Sequence, residues 1–498
     1  MAGRVRWGRP FQHGAGQARH LLLAVVALAT AGQVALGNDD RPFWHPDAGT
    51  PAERFELAKR TEPELVAFLR RFPKGADLHN HAGGAVYSDY VIDAARAKGL
   101  RYDPRLRGFT VSEEDHTVSL DQLESDAAML KAFFETVSMR GWYPNTGDGH
   151  HHFFQTFSRL GSARRSEAQV LAEIVRRNRY QHVNYVELMM NAAPSATWGR
   201  FFEVFNEFDV DDLPGSLAPF EPLIEDPSIR RSFSAYIDEL EAEVSRELGL
   251  SPALGEKESD IAVGYIGSLL RTGPTERFFR MAVVVFTAME ADDRVVGLNI
   301  VAPEDHPASR RQFDHQMKIL GFLWERFDKP AITLHAGELT LRYAPVASMW
   351  DRIRRSIDEG HARRIGHGIS IAWERDVVGL LEQMAQDEVL VEINLTSNES
   401  ILGVRDDAHP FELYRRAGVP VCLTTDDEGV SRSNLTMEYV KAVQRYDLGY
   451  EDIKTISRDC LAHSFLPKDA KAGRLAMLDA AFARFEKSLA TGYREIAE

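Results

Sequence analysis

Residues 331–338 read Ala-Ile-Thr-Leu-His-Ala-Gly-Glu, a short apolar run that ends in a histidine, two small residues and an acid. A run of this length bounded by glycine predicts a buried strand. Similar runs lead into His79, His367 and Asp426. Because the carboxyl ends of barrel strands lie on one face, these polar side chains are expected to meet there.

Working outward, short apolar runs alternate with longer helical patterns, which predicts parallel strands joined by crossover helices. A (β/α)8 TIM-like barrel with helical insertions is therefore predicted for residues 73–490, with insertions near 100–165 and 192–260. Before it, residues 38–72 form a leader and a helix, interrupted at Pro63. Helices are predicted at Arg310–Arg326, Val377–Gln386 and Phe411–Ala417. The predicted strands are the stretch near Leu78, Val183–Leu188, Met281–Phe286, Val295–Val301, Ala331–His335, Arg364–His367, Val389–Asn394 and Val421–Thr424.

Composition restricts the functional classes. The formal charge of −15 argues against nucleic-acid binding through a basic face. The chain has two cysteines, Cys422 and Cys460, and no Cys-x-x-Cys pair, so a thiolate zinc site is excluded. We expect both cysteines to be buried as small apolar side chains, without a disulfide framework.

The N-terminus has the pattern of a secretory signal peptide over residues 1–37. Four arginines precede an apolar run from Leu21 to Ala31, and small residues follow it. The run is too short for a stable membrane span, so the protein is predicted to be secreted or periplasmic after cleavage. An uncleaved membrane anchor is the alternative interpretation.

Four short motifs at predicted strand ends indicate chemistry. His79 and His81 are two residues apart, so both imidazoles can reach one cation from the same side of a strand. His335 is a further imidazole ligand, and Glu338 nearby is suited to proton transfer. A pair of turn histidines and a helix-capping acid are the alternative explanations.

The other two motifs contain His367, which stands between two glycines, and the adjacent carboxylates of Asp426 and Asp427. Neighbouring carboxylates repel each other unless a cation or a proton is near, although a helix N-cap is the alternative explanation. Together the motifs supply three histidines and one aspartate as ligands, which is what a catalytic zinc site with an open position requires.

These motifs resemble the adenosine deaminase family of metal-dependent hydrolases. The resemblance covers roughly residues 70–470, and Pro73–His79 looks more like the secreted, growth-factor-associated branch. The matching pieces are Leu78-His79-Asn80-His81, His335-Ala336-Gly337-Glu338, Arg364-Ile365-Gly366-His367-Gly368, Asn394-Leu395-Thr396-Ser397-Asn398 and Thr425-Asp426-Asp427.

The resemblance implies hydrolytic deamination of a purine nucleoside, with adenosine converted to inosine and ammonia. Glu338 would protonate the ring nitrogen N1, His367 would orient the water and act as base, and Asp427 would bind N7. Asp426 would also accept a hydrogen bond from the water. That branch further implies a homodimer formed through residues 45–72. One zinc per chain would be bound by His79, His81, His335 and Asp426.

Several positions on the substrate side depart from the family pattern. Gly83 stands where many nucleoside deaminases have an acid that contacts the ribose, and Ala302 replaces a glycine beside the purine. Pro303 has no N–H to donate, and Glu428-Gly429 follows the acid pair where Asp-Pro is usual. Another aminopurine or a modified nucleoside is therefore the alternative substrate.

Two further alternatives belong to other classes. A two-metal hydrolase would need a carboxylated lysine at a strand end, and no predicted strand ends in one. A secreted binding protein on an inactive barrel would be expected to have lost a ligand or Glu338. The triple His150-His151-His152 is interpreted as a solvated loop or as part of the pocket mouth, and Arg271 as a structural ion-pair partner.

Overall fold

Two units are distinguished by their internal contacts, Met1–Arg41 and Pro42–Glu498. The predicted signal peptide, residues 1–37, lies outside the described residues. No helix in the described part of the chain is long and apolar enough to cross a bilayer. The computed structural model describes residues 41–142, 148–159, 163, 166–205, 207–257 and 259–491.

Eight of the ten strands in the described residues form one parallel sheet, and the other two form a separate antiparallel hairpin. The strands are β1 Lys74–His81, β2 Arg101–Asp103, β3 Gly108–Thr110, β4 Val183–Met189, β5 Ala262–Leu270, β6 Val295–Val301, β7 Ile332–Ala336, β8 Ala362–His367, β9 Leu390–Ile393 and β10 Val421–Leu423.

The sheet order is β1-β4-β5-β6-β7-β8-β9-β10, and every pair is parallel. The first and last strands meet just beyond β10, where the Asp426 N–H donates to the His79 carbonyl at 2.8 Å. The His81 N–H donates back to the Asp426 carbonyl at 3.0 Å. The sheet is thus a nearly closed barrel, and the predicted TIM-like fold class is confirmed.

Helices fill most of the connections between strands. Shorter α-helices lie at Pro51–Ala58, Ala82–Ala85, Leu120–Ser125, Ser195–Phe202, Leu213–Leu217, Glu221–Ile224, Arg352–Asp358, Leu395–Ser397, Phe411–Arg416 and Glu428–Ser431. The longer ones are Glu62–Arg71, Asp89–Ala97, Ala127–Val137, Gly149–Arg159, Glu167–Tyr180, Pro227–Leu248, Thr275–Ala291, Pro307–Arg326, Val377–Gln386, Leu435–Tyr446, Tyr450–Ala462 and Lys468–Ala490.

One strand prediction is wrong. Met281–Phe286 lies inside the helix Thr275–Ala291, of which every residue from Phe278 to Ala288 is buried. A helix that is buried on all sides has the same continuous apolar pattern as a buried strand, so periodicity alone does not separate the two.

The barrel strand that the pattern did not predict is β5, and the short hairpin strands β2 and β3 were not predicted either. Strand β5 contains Gly264 and Gly267, which are unfavourable in a strand interior. Packing explains them: a Cβ at Gly267 would lie 2.2 Å from a Val285 methyl, and one at Gly264 would lie 2.1 Å from the Tyr185 hydroxyl. The close packing of neighbouring side chains therefore requires glycine at both positions. Because glycine is uncommon in strands, the sequence pattern did not predict this one.

The N-terminal leader packs against the C-terminal helices of its own chain. It forms two helices that begin after the capping residues Thr50 and Thr61, and Pro63 lies in the first turn of the second. The ring of Phe68 lies 5.3 Å from that of Phe485 and 6.3 Å from that of Tyr450. This leader therefore belongs to the main hydrophobic core.

The two cysteines are buried, as expected, but they are also bonded to each other. Cys422 on β10 and Cys460 on the helix Tyr450–Ala462 form a disulfide. The expectation of two unpaired thiols is wrong because sequence spacing does not show that this helix packs directly on β10.

Replacing Gly267 with alanine tests the tight contact between β5 and the helix Thr275–Ala291. We expect the free energy of unfolding to fall by about 1–3 kcal/mol, since the new methyl overlaps Val285. The measurement is urea unfolding. As a matched control, Gly473→Ala adds a methyl to a helix where no atom lies within 4 Å, and stability should stay level or rise. Equal stability of the two variants would contradict this account of β5.

Candidate active site

Four side chains from three strands converge at the carboxyl end of the barrel. They are His79 and His81 at the end of β1, His335 on β7 and Asp426 just after β10, and their ligand atoms all lie within 4.8 Å of one another. The Nε2 atom of His335 is 3.1 Å from that of His79 and 3.2 Å from that of His81. The Asp426 Oδ1 atom lies 3.1 Å from His81 Nε2.

These four donors fit a zinc ion. Three imidazole nitrogens and one carboxylate oxygen are the ligand types that zinc takes in catalytic sites. Without a cation, an almost completely buried carboxylate and three imidazole nitrogens crowded to about 3 Å would be hard to account for. Among the described residues, this is the one group of histidine, cysteine and acidic side chains close enough to hold a metal.

The backbone conformation of Asp426 orients this ligand. Asp426 adopts a left-handed conformation with φ of 57°, at the point where its amide and carbonyl bond to β1.

The neighbouring carboxylate of Asp427 is not a ligand. Its Oδ1 atom is buried and has no hydrogen-bond partner among the described residues. A Cβ at Gly84 would lie 1.8 Å from that oxygen, so glycine is needed there.

Outer partners orient two of the imidazoles. His79 Nδ1 lies 2.6 Å from a Glu392 oxygen, which leaves its Nε2 directed at the ligand cluster. The other Glu392 oxygen accepts from Arg364 at 2.7 Å and from the Thr333 hydroxyl at 2.8 Å. Burial opposes the charge on Glu392, but Arg364 and His79 outweigh it and lower the pKa of this carboxyl to about 2.

Asn299 orients the His335 imidazole, as Glu392 orients that of His79. Its Oδ1 atom accepts from the His335 backbone N–H at 2.8 Å and lies 2.9 Å from His335 Nδ1. The motifs did not identify Glu392 as a site residue, and they placed Asn299 only in the stretch Asn299–Glu304 on the substrate side, not behind a metal ligand. A single acid inside the apolar run Val389–Asn394 was the available signal for Glu392.

Glu338 is the candidate proton donor. It is 8% exposed, its backbone N–H donates to Glu304 at 2.8 Å, and its Oε1 lies 3.8 Å from His367 Nε2. Burial raises the pKa of Glu338 well above its ordinary value, and the nearby Asp426 and Glu304 carboxylates add to this. The side chain therefore keeps its proton more readily than an exposed glutamate does.

Arg271 contributes to the structure around Glu338. Its guanidinium is buried and donates to the carbonyls of Ile300 and His335 at 2.9 and 3.0 Å. It also lies 3.8 Å from a Glu304 oxygen. The predicted role as a structural partner agrees with these contacts.

A cavity of about 380 Å³ lies over the ligand cluster. Gly83, Ala302 and Pro303 line it, as do Glu338, His367 and Asp427. Ala302 has φ of 86°, a left-handed conformation that costs an alanine on the order of 1–3 kcal/mol. The remaining described residues of the wall are Phe153, Phe154, Phe157, Leu270, Val301 and Ile401, together with the ligands His81, His335 and Asp426.

The predicted loop around His150 is instead the helix Gly149–Arg159, which supplies three phenylalanines to the cavity wall. His150 pairs with Asp305 at 2.8 Å and stacks on Tyr343, with ring centroids 4.6 Å apart. His150 therefore anchors this helix beside the cavity, while His151 stays exposed.

Replacing Asn299 with leucine tests the orientation of His335. We expect zinc affinity to fall about 10- to 100-fold, because the imidazole loses the acceptor that holds its ring. Competition with a chromophoric chelator gives the measurement. Asn299→Asp keeps an acceptor oxygen and should retain most of the affinity. Wild-type affinity in the leucine variant would show that Asn299 has no such role.

Comparisons with known proteins agree with this geometry. Residues 230–481, half of the chain, match the family model described as adenosine deaminase. An adenosine deaminase of Clostridium acetobutylicum is 35% identical over 149 residues, which is 30% of this chain and 41% of that protein. One from Enterococcus faecalis is 34% identical over 141 residues, 28% of this chain and 38% of that protein. The chain thus spans about 40% of the length of these curated relatives.

Solved structures with the same fold are more distant in sequence. An adenine deaminase from Arthrobacter aurescens has a TM-score of 0.53 at 17% identity, over 82% of this chain and 99% of that one. An Arabidopsis N6-mAMP deaminase has 0.55 at 18%, over 83% and 99%. A Burkholderia amidohydrolase with bound zinc has 0.51 at 17%, over 86% and 94%. With the family model matched over half of its length, the chain belongs to the adenosine deaminase family.

Proposed function

We propose that the protein is a zinc-dependent aminohydrolase that converts a 6-aminopurine nucleoside to the 6-oxo product and ammonia, with adenosine as the first candidate. The observation that carries this proposal is Glu338, a buried carboxyl beside the four ligands and 3.8 Å from His367. Burial raises the pKa of Glu338 well above its ordinary value. A carboxyl with a raised pKa can act as a general acid on a ring nitrogen.

Zinc held by His79, His81, His335 and Asp426 would lower the pKa of a bound water towards about 7 and so supply hydroxide. Glu338 gives its proton to N1 of the purine, which makes C6 electrophilic. Asp427 lines the same cavity and its buried Oδ1 has no hydrogen-bond partner among the described residues, so it would be available for a contact to N7. His367 and Asp426 also line the cavity and would contact the attacking oxygen.

The alternative classes receive less support. A two-metal site needs a lysine at the ligand end of the barrel, whereas Lys74 begins β1 and donates to the carbonyls of Leu69, Phe72 and Gln181. An inactive binding protein has no need of the buried acid Glu338 or of the Glu392–Arg364 support behind His79.

We further propose export to an oxidising compartment, as a secreted or periplasmic protein. The arginine-rich start and short apolar run of residues 1–37 motivate this. The Cys422–Cys460 bond supports it independently, since disulfides persist mainly outside the reducing cytosol. Membership of the growth-factor branch, with dimerisation through residues 45–72, remains a proposal.

Glu338→Gln tests the proton donor. The amide keeps the size of the side chain but cannot transfer a proton, so we expect kcat on adenosine to fall about 10²- to 10⁴-fold. Zinc content, measured by elemental analysis, should stay at one per chain. Full activity in this variant would refute the assigned role, and loss of zinc would indicate a structural one.

A second candidate is an aminopurine nucleoside with a larger, apolar substituent. A further cavity of about 540 Å³ adjoins the first, and the two share Gly83, Phe157, Leu270 and Val301. Its other described lining residues include no metal ligand and are mostly apolar: Ala82, Val86, Val91, Glu167, Val170, Met189, Met190, Asn191 and Ser268.

The passage between the cavities is open at Gly83, where an added Cβ would meet no atom within 4 Å. The amino group must face the metal, so a substituent on the far side of the purine would point away from it. The second cavity could receive such a group and bury its apolar surface.

Gly83→Leu tests this candidate by narrowing the passage. We expect the ratio of kcat/KM for 5′-alkylthio nucleosides to that for adenosine to fall at least about tenfold, because the longer group no longer fits. An ammonia-release assay across both substrates gives the ratio. Gly199→Leu, at another helical glycine with open space but lining neither cavity, is the control. An unchanged ratio would remove the second candidate.

A further inference from the structure

The His367 imidazole turns its two nitrogens to different surroundings. Its Nε2 atom is buried, faces the reaction cavity and has no hydrogen-bond partner among the described residues. Its Nδ1 atom lies 2.9 Å from the Asn398 amide nitrogen and 3.4 Å from that of Asn394. The position of the ring proton therefore decides whether the ring donates to or accepts from the nucleophile.

A chain of hydrogen bonds that begins at a backbone amide settles that position. The Phe411 N–H donates to His409 Nδ1 at 3.1 Å, so the proton of a neutral His409 lies on Nε2. His409 Nε2 then donates to the Asn398 Oδ1 atom at 3.0 Å. With its oxygen occupied, Asn398 turns its NH2 group to His367 Nδ1.

The second amide is oriented in the same way. The Thr424 hydroxyl donates to the Asn394 Oδ1 atom at 2.7 Å, which leaves the Asn394 NH2 group towards His367. Two donors thus face one nitrogen, and His367 Nδ1 can only accept.

We infer that Asn398 and His409 are positioning residues that hold His367 as the neutral tautomer with its proton on Nε2, so that His367 donates a hydrogen bond to the attacking oxygen. The inference rests on the proposed deamination. It differs from the base role that the resemblance implies for His367, because a nitrogen that already carries a proton cannot take one. The proton that the water loses would then pass to the Asp426 carboxylate and from there to the leaving ammonia.

The backbone conformations of His367 and Asn398 also support this role. His367 has φ of 68°, a costly conformation that turns the ring from the end of β8 towards the cavity. Asn398 begins a π-helical turn over Asn398–Leu402, a widened geometry often found at functional sites. His409 and Asn398 are both almost fully buried, so water does not compete for these bonds.

His409 is neutral where it begins this chain of hydrogen bonds. Burial lowers the pKa of His409 to about 3, so its imidazole carries a single proton at neutral pH. Because the Phe411 N–H donates to Nδ1, that proton lies on Nε2.

Asn398→Asp is the decisive variant, tested in the zinc-loaded protein. The carboxylate has nearly the same shape, but it can only accept, so it draws the His367 proton to Nδ1. We expect kcat on adenosine at pH 7.5 to fall at least about a hundredfold, with KM within about threefold, as for other enzymes whose histidine is held in the wrong tautomer. Zinc content and melting temperature should change little. A wild-type kcat for Asn398→Asp at pH 7.5 would overturn the inference.

His409 provides a graded control. His409→Leu removes the anchor, so Asn398 can rotate and we expect a loss of about tenfold in kcat. His409→Gln offers an amide that can again donate to Asn398 and should recover at least half of that activity. Equal losses in both variants would indicate packing rather than orientation.

Nitrogen-15 NMR of histidine-labelled, zinc-loaded protein reads the tautomer without any substrate. The His367 signal, assigned by its absence in His367→Gln, should show the proton on Nε2 in the wild type and on Nδ1 in Asn398→Asp. If no aminopurine is turned over, the proposed function fails while this measurement still decides the tautomer. A proton on Nδ1 in the wild type would refute the inference alone.

Discussion

Two backbone hydrogen bonds between Asp426 and the end of β1 hold both the barrel and its site together. They join the first strand of the sheet to the segment that follows the last strand. The same residues carry three of the four ligand side chains, so the contact that closes the barrel also brings these ligands together. The left-handed conformation of Asp426 is tolerated because it makes both contacts possible.

Beneath the ligands, a buried ionic group supports the site. Arg364 donates to Glu392 and to Glu187, and its guanidinium stacks on Phe465 at 3.7 Å. Burying several charges gives little net stability, since desolvation offsets most of the attraction. The group is better explained by orientation: it holds Glu392 ionised against His79 and so keeps the metal-facing nitrogen available.

Two buried glutamates of the site, Glu392 and Glu338, have opposite pKa shifts because their surroundings differ. Arg364 and His79 lower the pKa of Glu392 to about 2, whereas burial and nearby carboxylates raise the pKa of Glu338 well above its ordinary value. Two identical side chains thus differ in how readily they hold a proton because of what surrounds them. Gly83 and Ala302 line the same cavity as Glu338.

The sequence by itself determined the fold class and the ligand set, because strand periodicity and residue spacing are local properties. It was enough to place His79, His81, His335 and Asp426 at strand ends. Only the tertiary structure decided that Met281–Phe286 is helical, that β5 tolerates two glycines, and that Cys422 meets Cys460. The orienting roles of Glu392, Asn299 and Asn398 also depend on contacts between residues far apart in the chain, and no local pattern encodes which distant side chain will face which.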